Sequence, residues 1–213
     1  MDNIIDYVKE KWNKLTAFSK KQEIKDQLWS DIVYRYAEQH RHYHNLTHIA
    51  FLFDLCDQYI DRISNPAVVG FAILYHDIVY DTYRPDNEEQ SAEVAESHLK
   101  QLNLNTTLIE NIKTFIIATK DHKLPQQYPL RNDLSLFLDF DIAILASPAE
   151  TYQLYSQKIR QEYLKYPDDV YKEGRKLALK KVLQSANIFN TKDFIASMEE
   201  TARKNIHNEV GQL

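Results

Sequence analysis

Residues 65–81 read NPAVVGFAILYHDIVYD, and this stretch decides the fold. Asn65 and Pro66 fit a helix cap and a first-turn proline: the asparagine oxygen can accept an orphan N–H, and proline gives up an N–H that has no partner there anyway. The run through Val68, Phe71, Ile73 and Leu74 is apolar on every side, so as a helix it belongs inside the molecule. A buried strand is the competing reading of a short apolar run. The capped start, the length and the lack of any partner segment with strict alternation favour helix. Set into this helix are His76 and Asp77. An unpaired carboxylate is so costly to bury that Asp77 should be ion-paired, protonated or bound to a cation, unless it sits on a partly exposed face and meets water or an arginine.

Working outward, Ile4, Val8, Trp12 and Leu15 recur at helical spacing, as do Ile24, Leu28, Ile32 and Tyr36. HRHYHNLTH (40–48) is a break, after which FLFDLCDQYI (51–60) resumes an apolar face. DTYRPDNEEQ (81–90) is a loop, with Asn87 capping a helix that reaches about Leu102. A helix from Asn105 or Thr106 ends before DHKLPQQYPLRN (121–132), and Asp133 opens LSLFLDFDIAIL. Ser147, Pro148 and Glu150 predict a capping box, and two more helices follow, at about 168–185 and 192–209. The expectation is an all-α fold of roughly nine helices in a single compact domain, 1–213. The core of that domain, which holds every histidine except His207 together with the aspartates set into apolar runs, would lie at about 40–146, with C-terminal helices at about 148–210 packing on it.

The composition narrows the function. With 213 residues, 44% of them hydrophobic, the chain can bury a core, which excludes a mostly disordered protein. Three glycines, Gly70, Gly174 and Gly211, cannot assemble a GxxxxGK[ST] or GxGxxG phosphate cradle. A net charge of -5, with Lys and Arg scattered, argues against an obligatory nucleic-acid partner and for a small ligand. No basic-then-apolar leader and no long apolar run is seen, so no membrane partner and a cytoplasmic location are expected. Cys56, the single cysteine, reads as a buried structural thiol.

Four of the eight histidines, His40, His42, His44 and His48, fall within nine residues, and Asp139 and Asp141 interrupt a second apolar helix. Divalent first-row ions take imidazole and carboxylate together, from ligands converging on separate elements. One helix start offers His48, another helix offers His76 and Asp77 about 100° apart, and a third offers Asp139 or Asp141. Two residues apart on a helix point about 200° away from each other, so only one of that last pair can be a ligand. The other should face solvent or an arginine.

In this order, His, then His-Asp, then Asp on an all-helical chain, the sequence resembles the HD superfamily of metal-dependent phosphohydrolases. More narrowly, RHYHNLTHI, LYHDIVYD with the following DNEEQSA, ATKDH, LDFDIAIL, IRQEYLKYPD and GRKLALKKVL resemble a small bacterial group described as predicted HD-superfamily phosphohydrolases. The resemblance covers most of the chain. YHNLTH is similar to the YHNxxH signature of cyclic-nucleotide phosphodiesterases, which implies that His48 binds metal and that His44 is the acid for the leaving oxygen. DIAIL is similar to the stretch after the last metal-binding aspartate of those enzymes, which implies Asp141 and not Asp139. Where phosphodiesterases have HDxxH, Tyr80 stands in the last place, and the paired histidines and GYP motif of HD-GYP proteins are missing.

The resemblance thus implies a divalent ion (Mn, Fe, Co, Ni, Zn or Mg) on His48, His76, Asp77 and Asp141, with His44 and Asp77 taking part in catalysis. The expected reaction is hydrolysis of a phosphoester of a small phosphorylated molecule, a nucleotide among the candidates. His122 lies where several HD families place a further active-site histidine; a solvated helix end is the alternative. Arg41 and Lys120, each a few residues from a proposed site histidine, are the candidates for clamping an anion, while Arg84 and Lys123 read as surface charge. One of Glu88 and Glu89 could line the pocket. His40 and His42 read as exposed loop residues, and His98 and His207 as structural. Two rival readings are an HD-type di-iron oxygenase, against which the missing histidine at Tyr80 counts, and a non-catalytic ligand-binding or regulatory module.

Overall fold

The computed structural model describes residues 2–213, and these contain ten α-helices, two short 3-10 helices and no strand. The all-α expectation holds. The chain forms two compact units, one ending at Phe137 and the other spanning Leu138–Leu213. None of the described helices is long and apolar enough to cross a membrane.

The first unit contains α1 (Asp2–Leu15), α2 (Gln22–Tyr36), α3 (Leu46–Gln58), α4 (Pro66–Tyr75), α5 (Asn87–Gln101), α6 (Thr106–Ala118) and the start of α7 (Arg131–Ile142). Helix α4 is its axis: Val68 through Tyr75 are all buried, and α1, α3, α5 and α6 pack around it. The start is as the sequence predicts, with Asn65 Oδ1 accepting from Val68 N at 3.2 Å and Pro66 in the first turn. At Gly70 a Cβ would come within 2.8 Å of a Leu15 methyl, so the missing side chain is what lets α1 lie this close.

The end of α4 departs from expectation. His76 and Asp77 are not inside the helix: Tyr75 is its last residue, His76 its C-cap, and Asp77 lies beyond it. The apolar periodicity runs on through Ile78 and Val79, but side chains from other elements capture the backbone there. Asn87 is likewise not a cap. It is the first residue of α5, and its side chain accepts from Asp81 N at 3.0 Å and donates to Asp81 O at 2.9 Å.

The second unit holds the rest of α7, then α8 (Ala149–Glu162), α9 (Asp168–Gln184) and α10 (Lys192–Gln212). The capping box predicted at Ser147 does not form; α8 starts behind Pro148 with no side-chain cap. Phe140, Phe189 and Phe194 cluster at ring separations of 5.7–5.9 Å. Buried Glu209 accepts from Tyr152, Ser156 and Arg175, which hold its carboxylate low against the opposing effect of burial.

Two aspartates of α7 do a job no local pattern announces. Asp133 accepts from the N–H groups of Ser64 and Asn65 at 2.9 and 2.7 Å, the two residues leading into α4. Asp139, fully buried, accepts from Asn190 N and Thr191 N at 2.6 and 2.8 Å, the two residues leading into α10. Asp139 therefore faces neither solvent nor an arginine. A buried carboxylate needs partners, and backbone donors ahead of a helix start serve as well as a cation. Replacing Asp139 by alanine strands those donors and should lower unfolding free energy by about 2–4 kcal/mol, read from the urea midpoint. A loss under about 0.5 kcal/mol, the range of an ordinary surface change, would contradict this role.

Candidate metal centre

His48 sits on the first turn of α3, whose cap is built by Asn45. Its Oδ1 accepts from Thr47 N at 2.9 Å while its Nδ2 donates to Arg41 O and His42 O at 3.3 and 3.1 Å. One asparagine thus starts the helix and folds the HRHYH segment back on itself. His76 is delivered by the buried α4. His48 and His76 are 3% and 2% exposed, and their Nε2 atoms are 3.3 Å apart. Asp77 Oδ2 lies 3.0 Å from His76 Nε2 and 3.7 Å from His48 Nε2. Three donor atoms from two helix ends meet at one point.

The hydrogen-bond chemistry tests whether this set suits a cation. His76 Nδ1 lies 3.1 Å from the carbonyl of Ile73, which can only accept, so Nδ1 carries a proton. In the neutral ring Nε2 is then a bare lone pair aimed at a carboxylate oxygen and a second imidazole nitrogen. Acceptors crowded this way repel one another unless a proton or a metal ion stands among them. The donor set fits a divalent ion.

His44 precedes the Asn45 cap, so it is not one turn below His48 on a shared helix face. It still comes close: its ring centroid is 5.8 Å from that of His48 and 4.3 Å from that of Tyr80. Tyr43 meets His44 edge-on and lies 4.9 Å from His48. Tyr80 thus fills space beside the site with a ring where HDxxH would supply a ligand. His40, read from sequence as an exposed loop residue, is half-buried, donates to Tyr80 O at 2.8 Å and stacks on its ring.

The segment after His76 is held carbonyl by carbonyl. Arg41 donates to Asp77 O at 2.5 Å and Ile78 O at 3.0 Å, Ser91 to Val79 O at 3.3 Å, His40 to Tyr80 O, and Asn87 to Asp81 O. Ser91 and Asn87 belong to α5, whose first turn also carries Glu88. Burial pushes the Glu88 carboxyl upward, and the negative charges of Glu89 and Asp77 add to this against Lys120. Its electrostatic link to Asp77 bears on the expectation that one of the two glutamates faces the site.

Among the other expected residues, Arg41 is buried, with its donors turned to the protein itself. Lys120 is exposed and donates to Glu89 Oε1 at 2.5 Å and Pro85 O at 2.8 Å. His122 follows the end of α6 in left-handed backbone (φ 53°), its N–H donating to Ala118 O. Asp141 belongs to the second unit, on α7, one turn beyond Phe137. Phe137, in the first unit, sets its ring edge-on to His76 at 5.8 Å. Ser91, Asn87 and His40 were not singled out in the sequence as backbone anchors; their only sequence signal is the DNEEQSA and RHYHNLTHI segments. Against models of protein families, curated proteins and solved structures, the chain has no match.

Behind α4, His98 of α5 is buried. Burial lowers its pKa below the ordinary value of 6.5, Asp31 opposing and Arg35 assisting. Tyr75 OH lies 3.3 Å from its Nδ1, and Asp31 Oδ2 3.5 Å from its Nε2. The folded state thus favours the neutral ring, so this contribution is present above 6.5 and is lost as pH falls below it, where the unfolded chain takes up the proton first. Melting temperature should drop between about pH 7.5 and about pH 5.5, and His98→Gln should flatten that drop. An identical slope in the variant would place the dependence elsewhere.

Proposed function

We propose that this protein is an HD-type metal-dependent phosphohydrolase acting on a small phosphorylated molecule, with a nucleotide as the first candidate. The observation that carries the reading is the meeting of His48 Nε2, His76 Nε2 and Asp77 Oδ2 within 3.7 Å, with the His44 ring alongside. Asp141 is the proposed fourth ligand. In its support, the α7 face that turns Phe137 to His76 carries Asp141 one turn later, and His48, His76 and Asp141 make up a group able to offer an ion one ligand atom each. The phosphoester itself comes from the family resemblance.

When bound, a divalent cation supplies Lewis acidity, which acidifies water and polarises a phosphoryl oxygen. The chain's own residues do the rest. The Ile73 carbonyl keeps the His76 proton on Nδ1 and so keeps Nε2 free for a ligand role. Asp77 and Asp141 would together balance a double positive charge. His44, steadied against the Tyr80 ring, hands a proton to the leaving oxygen. Arg41, Lys120 and His122 complete the proposed set as substrate-side residues, although Arg41 and Lys120 already have protein partners.

Metal analysis of the purified chain, followed by assay on bis(p-nitrophenyl) phosphate and nucleoside monophosphates, tests this. One equivalent of a divalent metal is expected, lost in His76→Ala and Asp141→Ala and kept in Asp139→Ala. Metal retained in Asp141→Ala and lost in Asp139→Ala would reverse the assignment. His44→Ala should keep the metal and the melting temperature while turnover falls about 10²- to 10⁴-fold, the contribution typical of a general acid. Loss of metal in that variant would make His44 a ligand.

A further inference from the structure

Arg41 was expected at the substrate, yet its side chain is wholly buried and its donors are committed. Nε donates to Glu38 Oε2 at 2.9 Å, Nη1 to Asp77 O at 2.5 Å and His44 O at 3.3 Å, and Nη2 to Ile78 O at 3.0 Å. The guanidinium carbon Cζ lies over the rings of Tyr36 and Tyr80, 5.1 and 5.6 Å from their centroids. These contacts join three pieces of chain: the end of α2 through Glu38, the loop bearing His44, and the turn bearing His76 and Asp77.

We propose that Arg41 is a positioning residue of the metal centre, a brace that sets the backbone of the His76-Asp77 turn against the His44 loop. The inference rests on the metal reading above. Two of the carbonyls it takes belong to Asp77 and His44, the residues assigned to ligation and proton transfer. Holding those carbonyls fixes the backbone from which each side chain departs. Past His76 the helix ladder cannot do this, because Asp81 N goes to Asn87 and does not return to Asp77 O. A planar cation with five donors spans these acceptors together. Lysine would keep the charge but, as a point donor on a flexible stem, would lose the fork and the stacking.

The test is Mn²⁺ titration of metal-free wild type and Arg41→Lys by calorimetry, with melting curves of both metal-free forms. The variant preserves charge, so altered repulsion of the ion is not a confounding cause. A folded Arg41→Lys protein with affinity weaker by about 10- to 100-fold is the expected result, the range seen when groups that orient metal ligands are lost. Wild-type affinity in the folded variant overturns the proposal. Where Arg41→Lys does not fold, Glu38→Ala removes the acceptor at one edge of the guanidinium and Glu38→Gln, equally neutral, keeps one: Mn²⁺ binding several-fold weaker in Glu38→Ala than in Glu38→Gln supports the brace, and equal binding in the two overturns it. A wild-type chain that takes up no Mn²⁺ is a different failure, since it removes the metal reading before any variant is made.

Discussion

Five successive carbonyl groups, from Asp77 to Asp81, are each taken by a side chain from elsewhere in the first unit: Arg41 twice, then Ser91, His40 and Asn87. Buried or half-buried backbone acceptors must be satisfied, and a helix continuing past Tyr75 would have satisfied them internally. The side chains offer an alternative, and the chain takes it. This exchange ends α4 at Tyr75, two residues before Asp77, turns Asp77 back toward the two imidazoles, and puts the Tyr80 ring beside His44. The candidate centre exists because the helix stops there.

Stopping a helix inside a core requires the rest of it to be rigid. Helix α4 is buried on all sides and tied at both ends, by Asp133 ahead of its cap and by the Tyr75–His98–Asp31 contacts at its last turn. Those contacts keep polar groups of the core paired without drawing on His48, His76 or Asp77. A ligand set on a rigid helix end suffers less disorder than one on a free loop.

The helices were legible in the sequence because most of them follow apolar spacing and local caps: Asn45, Asn65 and Asn105 accept from the first-turn N–H groups of α3, α4 and α6. The histidines could be picked out because several crowd into a few residues beside a helix start. Long-range pairing was not legible. Asp139 and its partners at 190–191 are about fifty residues apart, and nothing local marks a carboxylate as a cap for a distant helix. The same blindness made His76 and Asp77 look internal to a helix, since the periodicity of Ile78 and Val79 says nothing of the donors waiting on α5. Arg41 was picked out by its nearness in sequence to the histidines; that its donors turn to backbone carbonyls of a distant turn and to Glu38 was not legible.

That engagement of Arg41 bears on how an anion could be held under the proposed reading. Asp77 is the exposed side of the set, its side chain 20% exposed against 1% for each imidazole, so a ligand would approach past Asp77. Approach from that side meets negative charge, since Glu88 is close enough for the Asp77 charge to raise it. The two basic residues first suspected as clamps are engaged, Arg41 with Glu38 and the carbonyls, Lys120 with Glu89. Two carboxylates facing a phosphate would repel it at this range. Under that reading the charge that attracts a phosphate would arrive with the metal, and cation binding would precede substrate binding.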